Sequence, residues 1–490
     1  MEAAQELALH DGLRAAGPAL VVVVSDLHLG EGVDGVTGRY ARTENFFADD
    51  AFARFLARQR ADSSEPALLV LNGDILDFLR ITDVPAGDRA LREWQAALER
   101  LGDDRSLESL SESVSRHERR YGLHTHAFKS VFKFAAIARG HPRFFKTVAD
   151  WVRAGGWVLY VKGNHDLEQY WPVIRRAFRD QLVLSGADPG DVASRVCFAD
   201  DHVTLANLRI EHGHQYEGMT RVAGPATLPR LPDQLNLPPG SFVNRYIINR
   251  LERIEPFLDN AKPVTDVLRT MVRRRPVSVI SIIGHGLRFL RRALLRRRVG
   301  HAALAMVIVL GGLSYLVPVV VVGVVLLAIG SPGFLDWLTQ WAPLRSPVVQ
   351  AVLGAGGVAL PLLIGAVREL WRWAHRPRVG EDEIAAGVHE AMRRDTRTQG
   401  PWRRLYAVLG HTHSQDVQRL PPLGTGSEEV YYVNTGTWAP LWPKDRPDLA
   451  GRTVYSFARF AKRGDEYVHE ALVWNDAAGR MEPPVILSPE

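Results

Sequence analysis

Cysteine is almost absent from this chain, because a single residue, Cys197, stands among 490. An internal disulfide is therefore excluded, as is typical of proteins from a reducing compartment. A structural zinc site rich in thiolate ligands is excluded as well. The first residues, Met1–Glu6, are acidic where a secretory signal peptide would be basic, so we expect no signal peptide here.

Charge is missing from two internal stretches. Neither residues 302–330 nor residues 347–367 contain Asp, Glu, Lys or Arg. Crossing a bilayer takes ~20 predominantly apolar residues, and both stretches reach that length. Both also contain Gly and Pro, which membrane helices tolerate better than soluble helices do. The composition therefore predicts a hairpin of two transmembrane helices, with a pair of buried helices or a re-entrant arrangement as the alternatives.

Arginines flank the predicted hairpin on both outer sides. They cluster in residues 288–298 before the first run and in residues 368–378 after the second. Because positive flanks stay on the cytoplasmic side, the pattern predicts a two-span protein of the cytoplasmic membrane with its remaining domains in the cytoplasm. The basic segment before the first run fits a helix on an anionic membrane or a solvated face. No aromatic platform accompanies it, so we expect no nucleic-acid partner.

Five short motifs of Asp, Asn and His recur along the rest of the chain. They are Asp26-Leu27-His28, Gly73-Asp74-Ile75-Leu76-Asp77, Gly163-Asn164-His165-Asp166, His212-Gly213-His214 and Gly410-His411-Thr412-His413. Each follows an apolar, β-branched run that is typical of a buried strand. Helical stretches separate the runs, so the pattern predicts an α/β fold. Strand ends converge on one edge of a sheet, where these side chains would meet.

The residue types in the motifs indicate metal chemistry. Imidazole, carboxylate and amide groups without thiolate suit a pair of Mn, Fe or Zn ions. Asp74 would bridge the two divalent ions, which would generate hydroxide for displacement at phosphorus. A single motif of this kind would indicate only polar residues at a strand end. Five in order favour a two-metal hydrolytic centre.

The motif order resembles that of the calcineurin-like metallophosphoesterases, over residues 18–217 and 402–475. The resemblance implies a four-layer α/β/β/α sandwich, into which the helical insertion with the two predicted transmembrane helices would be spliced. UDP-2,3-diacylglucosamine hydrolases are similar in motif order and act on a lipid pyrophosphate. They usually carry arginine where this chain has His165, and they have no membrane hairpin.

The resemblance also implies the ligands of each metal ion. The first ion would be held by Asp26, His28, Asp74 and His413. The second would be held by Asp74, Asn164, His212 and His411.

Further residues of the motifs receive supporting roles from the resemblance. His165 would be the catalytic histidine that stabilises or protonates the leaving oxygen. Asp166 would orient the imidazole of His165, and Asp77 would support ligands rather than bind metal itself. His214 stays ambiguous, because the fourth motif needs one histidine and His212 comes first. His124 and His126 imitate the fifth motif without a preceding strand or glycine, and we expect them to lie outside the centre.

The motifs and insertions divide the chain into three parts. The first part of the catalytic core, 18–217, contains a helical insertion at 90–154 that is either a lid or a helical pair packed on the sheet. An insertion at 218–401 separates the fourth motif from the fifth. The second part of the core is 402–475.

Together these features predict a phosphoesterase that depends on two divalent metal ions. It would hydrolyse a phosphodiester, phosphomonoester or pyrophosphate bond by metal-activated hydroxide at the inner face of the cytoplasmic membrane, with a lipid-linked substrate as one option. One alternative is a phosphodiesterase acting on a soluble nucleotide. Another is a catalytically silent scaffold. The sequence leaves the metal and the oligomeric state open.

Overall fold

The computed structural model describes residues 2–35, 37–62, 66–252, 381–395, 400–424, 428–440 and 451–483. All of them belong to one of the chain's two compact units, Met1–Val267 together with Glu381–Glu490. The other unit, Leu268–Gly380, lies outside the described residues.

Strands from both ends of the chain form the centre of this unit. The strands are β1 Leu20–Val24, β2 Ala67–Asn72, β3 Trp157–Val161, β4 Val196–Ala199, β5 His202–Leu205, β6 Leu208–Glu211, β7 Thr227–Leu228, β8 Leu231–Leu235, β9 Arg404–Leu409, β10 Gln415–Leu420, β11 Glu429–Thr435, β12 Tyr455–Arg463, β13 Glu466–Asn475 and β14 Arg480–Glu482.

Helices connect and cover these strands. The helices are α1 Glu2–Ala16, α2 Asp49–Ala61, α3 Gly87–Arg100, α4 Leu107–Ser113, α5 Glu118–Tyr121, α6 Ala127–Gly140, α7 Pro142–Arg153, α8 Pro172–Leu184, α9 Pro189–Arg195, α10 Pro239–Val243, α11 Asn249–Glu252 and α12 Glu381–Arg394. Short 3₁₀ turns lie at Leu167–Tyr170 and His214–Tyr216, and a π-helical turn lies at Asn244–Ile248.

Two large sheets organise the described residues. Seven strands form the first, in the order β14, β13, β12, β1, β2, β3, β4, and β1 to β4 run parallel. Five strands form the second, in the order β10, β11, β9, β6, β5, with β9 parallel to both β6 and β11. The structure is therefore mixed α/β.

The apolar run of β1 shows why both faces of the first sheet are covered. Every residue of Leu20–Val24 is buried, and successive side chains point to opposite faces. Val22 and Val24 belong to a core shared with α2, α3, α6, α7 and α8. Val21 and Val23 belong to a second core, shared with strands of the other sheet. Helices, first sheet and second sheet thus stack in that order.

The insertion at 90–154 consists mainly of helices. Helices α3 to α7 lie between β2 and β3, and their buried residues join the core on the helical face of the first sheet. Phe134, Ile137 and Phe145 are among these residues. Most of the insertion is therefore a structural layer packed on the sheet.

The prediction of two transmembrane helices is contradicted. Within the described residues, no helix combines the length and the apolar character needed to cross a bilayer. The predicted fold with a two-span hairpin is therefore wrong, as is the predicted location in the cytoplasmic membrane. Runs 302–330 and 347–367, on which both predictions depended, lie outside the described residues.

A buried carboxylate fixes the loop that follows the first motif. Glu44 accepts hydrogen bonds from the backbone N–H groups of Gly30, Gly32, Asn45 and Phe46. The imidazole of His141, at the junction of α6 and α7, lies 3.3 Å from Glu44 and 3.0 Å from Asp49. Burial alone would lower the pKa of His141, but these two carboxylates outweigh it and raise the pKa to about 9.

We expect His141→Gln to destabilise the fold more at neutral than at high pH. The folded-state pKa of about 9 exceeds the ordinary value of 6.5, so the charged histidine contributes stability below about pH 6.5. That contribution, on the order of 3 kcal/mol, is lost as the pH rises through about 9. The measurement is the difference in thermal unfolding midpoint between wild type and His141→Gln at pH 6.5, 8 and 10. His389→Gln on α12 is the control, and a pH-independent difference would contradict the prediction.

Candidate metal centre

The five motifs meet where five strands end. Asp26 and His28 follow β1, Asp74 follows β2, and Asn164 follows β3 in the first sheet. In the second sheet, His212 comes directly after β6 and His411 comes shortly after β9. Ligand sites of parallel sheets commonly lie outside the carboxyl ends of the strands. The two sheets face each other, so their strand ends bring the motifs together.

The backbone of the motifs adopts a conformation that L-residues rarely accept. Asp26, His28, Asp74, His411 and His413 have φ values of 53°, 54°, 52°, 74° and 65°. Of the described residues other than glycine, only Ala206 shares a positive φ. Such strain costs about 1–3 kcal/mol at each residue and persists where the surroundings enforce it, which is common at functional sites.

Two glycines of the motifs make room for ligand side chains. A Cβ atom at Gly163 would overlap the carboxylate of Asp74. A Cβ atom at Gly410 would overlap Asp26 and Ser25. Glycine at these positions therefore allows the third and fifth motifs to approach the carboxylates of the second and the first.

Asp26, His28 and His413 form the first group that could hold a metal ion. The Nε2 atoms of His28 and His413 are 3.0 Å apart, and Oδ1 of Asp26 lies 3.3 Å from Nε2 of His413 and 3.9 Å from Nε2 of His28. Ligands bound at ~2.1 Å to one ion stand about 3.0 to 3.4 Å apart in octahedral or tetrahedral geometry. The observed spacing is close to that expected around one ion.

Asp74, His212 and His411 form another such group beside the first. Oδ2 of Asp74 lies 3.3 Å from Nε2 of His212, and the rings of His212 and His411 are 5.3 Å apart. The backbone N–H of His411 donates to Oδ2 of Asp26, which links the two groups directly. Nδ1 of His212 donates to the carbonyl of Asn72, so Nε2 is the nitrogen left for an ion.

Within the part of the chain that the structure describes, three buried atoms of candidate ligands have no hydrogen-bond partner. They are Oδ1 of Asp26, Oδ1 of Asn164 and Nε2 of His212. Leaving a buried polar atom unsatisfied costs about 1–3 kcal/mol, so three such atoms at one place indicate a missing electrophile. Each is a lone-pair donor of the kind that Mn, Fe and Zn accept. The residues therefore fit divalent metal ions.

The electrostatics of the centre also favour a cation. Burial alone would raise the pKa of Asp26, but the imidazoles of His212 and His413 lower it to about 2. Burial would lower the pKa of His212, but Asp74 and Asp26 raise it to about 10. Without metal, the carboxylates thus bind a proton on His212 far more tightly than usual. Divalent cations would take the place of that proton.

Asp77 contacts both His28, a candidate metal ligand, and His165, the predicted catalytic histidine. Its Oδ2 atom lies 3.0 Å from Nδ1 of His28 and 2.8 Å from Nδ1 of His165, with the two rings edge to face at 4.6 Å. Burial would lower the pKa of His165, but the charges of Asp77 and Asp74 raise it to about 9. Asp77, His28 and His165 also form a third group with metal-ligand spacing, in which Asp77 fixes both rings.

Asp166 does not contact the imidazole of His165, which the resemblance implies that it would orient. One carboxylate oxygen accepts from the backbone N–H of Gly163, and the other accepts from Ile75 N–H and from the hydroxyl of Tyr160. Asp166 therefore holds the third motif against the second. The partner of the His165 ring is Asp77.

Glu217 contacts His411 although it lies outside all five motifs. Its Oε2 atom lies 2.7 Å from Nε2 of His411, and the hydroxyl of Thr220 lies 3.2 Å from the same nitrogen. A carboxylate on one imidazole nitrogen fixes the ring and leaves the other nitrogen for metal. An acidic residue shortly after the fourth motif was the available signal, but nothing in its spacing distinguishes it from an ordinary loop residue.

The remaining candidate histidines do not enter these groups. His214 is buried, and the centroids of its ring and of the His212 ring are 5.5 Å apart. Burial holds the pKa of His214 well below the ordinary value. His124 and His126 have rings 6.2 Å apart, and His126 lies 3.2 Å from Asp233. Among the described residues, none of these three belongs to a group with metal-ligand spacing.

Comparisons with protein-family models and with curated proteins find no match for this chain. The geometry alone supports groups of histidine and aspartate that could hold metal ions, as in a metal-dependent enzyme.

Proposed function

We propose that this chain is a phosphoesterase that requires two divalent metal ions. The observation that carries the proposal is the pair of adjoining groups, Asp26/His28/His413 and Asp74/His212/His411, built on strand ends of two sheets. The five motifs that supply these residues follow one another in the order found in the calcineurin-like metallophosphoesterases. Membership of that family is part of the proposal.

Seven residues would hold the two ions. They are Asp26, His28, Asp74, Asn164, His212, His411 and His413. When bound, two such ions stabilise charge on phosphoryl oxygens and supply a nucleophile from water near neutral pH. The resemblance implies that Asp74 would serve both ions. Its Oδ2 atom faces His212 in the second group, and its Oδ1 atom accepts from the backbone N–H of His165.

His165 is the proton donor to the leaving group in this proposal. Its Nδ1 atom is engaged by Asp77, so Nε2 is the nitrogen that remains for a substrate. The ring is slightly exposed, whereas Asp77 beneath it is fully buried. A positioned acid of raised pKa is protonated at neutral pH and can deliver a proton to the departing oxygen.

The proposal is tested with the purified full chain and three substrates: bis(4-nitrophenyl) phosphate, 4-nitrophenyl phosphate and a dinucleoside pyrophosphate. We expect hydrolysis of at least one with Mn²⁺, Fe²⁺ or Zn²⁺, and loss of turnover with EDTA that added metal reverses. His389→Gln serves as the control, since it lies on α12 outside the three groups. Binding of two ions per chain without hydrolysis of any substrate would refute the proposal.

A further inference from the structure

The charged network around Asp77 extends to the segment that follows the fourth motif. Glu252 is the last residue of α11, and its carboxylate pairs with the guanidinium of Arg80. Their side chains are 0% and 1% exposed. Two charges buried away from water are stable only when hydrogen bonds satisfy their remaining donors and acceptors. The other hydrogen bonds of Arg80 therefore show which parts of the chain this ion pair supports.

Arg80 joins three separate parts of the chain. Its Nε atom donates to Oδ2 of Asp77 at 3.1 Å. Its Nη1 atom donates to the carbonyl of Thr43 at 3.2 Å and to Oε2 of Glu252. Its backbone N–H donates to Oδ1 of Asp77 at 3.2 Å. The loop after β1, the second motif and α11 therefore meet at one guanidinium.

One oxygen of Asp77 serves three donors. Oδ2 is shared by His28, His165 and Arg80. The guanidinium of Arg80 competes with the two imidazoles for the carboxylate of Asp77. A stronger ion pair between Arg80 and Asp77 therefore weakens the hydrogen bonds between Asp77 and the imidazoles. Glu252 gives Arg80 a second anion and so leaves Asp77 available to the histidines.

Other contacts fix the segment 239–252 in this place. Asn249 donates to the carbonyl of Leu79, two residues after Asp77, at 2.7 Å. Ser241 donates to the carbonyl of Asn164 at 3.3 Å. The segment includes the π-helical turn Asn244–Ile248, a form that is often found at functional sites.

We propose that Glu252 and Arg80 are positioning residues of the metal centre, through which the segment after the fourth motif supports the binding of metal at His28. This inference rests on the two-metal centre of the proposed function. Neutralising Glu252 would let Arg80 draw Asp77 away from His28. That movement of Asp77 weakens metal binding at His28.

The first test is calorimetric titration of the metal-free full chain with Mn²⁺. We expect Glu252→Gln to weaken Mn²⁺ binding about tenfold, the lower end of what outer-shell substitutions cost. Glu252→Asp should recover part of the affinity, because it keeps the charge. Glu118→Gln is the matched control, since Glu118 is also a buried carboxylate paired with a cation, Lys129, at 2.6 Å. The control should bind Mn²⁺ like wild type.

A double-variant cycle separates the proposed route from a general loss of structure. In an Arg80→Gln background, Glu252→Gln should cause no further loss, and the double variant leaves neither buried charge unpaired. Wild-type affinity in Glu252→Gln, or equal losses in both backgrounds, would overturn the inference. Because affinity is measured without substrate, the outcome does not depend on phosphoesterase activity. A chain that binds metal but hydrolyses nothing would refute only the proposed function.

Discussion

Asp74→Asn is expected to reduce metal-dependent phosphoester hydrolysis by at least about 10³-fold, since several kcal/mol of transition-state stabilisation depend on bound metal. Asp74 faces His212 in the second group. The family resemblance implies that it would also serve the first ion. Asparagine keeps the size of the side chain and tolerates the left-handed backbone at this position, where φ is 52°. The variant therefore loses charge and keeps the fold.

Metal content and turnover should fall together in Asp74→Asn. We expect fewer than two ions per chain by elemental analysis, with an unchanged circular dichroism spectrum. Asp200→Asn is the matched control, because Asp200 also follows a strand of the first sheet and pairs with Lys162 at 3.1 Å, outside the three groups. Full metal content with full activity in Asp74→Asn would exclude Asp74 as a shared ligand.

The second large effect is expected for His165→Asn. Loss of a positioned acid lowers kcat by about 10²–10⁴-fold when the leaving group needs a proton. An alkyl phosphodiester has such a leaving group. A 4-nitrophenyl ester does not, because 4-nitrophenolate departs as a stable anion. The ratio of kcat for the alkyl ester to kcat for the aryl ester should therefore fall sharply.

Measuring the metal content of His165→Asn distinguishes a catalytic role of His165 from a role in assembling the metal centre. His165 is not a predicted ligand, so the variant should bind as much Mn²⁺ as wild type and unfold at a similar temperature. Equal losses with both esters would contradict the role of His165 as proton donor. Loss of metal would instead indicate that His165 supports the ligand His28 through Asp77.

The strands and the assembly of the motifs could be predicted from sequence. A parallel strand buried on both faces needs a continuous apolar run, and Leu20–Val24 is such a run, with polar residues directly beyond it. The apolar run before the fourth motif, residues 203–210, is different. It would be one strand by its sequence, but the structure divides it into β5 and β6 at Ala206 and Asn207. Ala206 has a φ of 49°, and alanine gives no turn signal there.

The partners of the motif residues could not be predicted in the same way. Asp166 is adjacent to His165 in sequence, but backbone N–H groups and Tyr160 occupy its oxygens. Asp77 reaches the ring instead, from 88 residues away. Glu217 and Glu252 lie outside every motif, and their contacts depend on where distant loops pack.

The pairing of β6 with β9 has a consequence for biosynthesis. Ile210 and Val408 are neighbours in the second sheet, yet the whole insertion at 218–401 is translated between them. Until the ribosome has passed His413, a nascent chain carries Asp26, Asp74 and His212 but lacks the two histidines that complete both groups. It also leaves β1 and β6 as open sheet edges, which invite aggregation. Metal loading of the proposed centre would therefore come late in the synthesis of the chain.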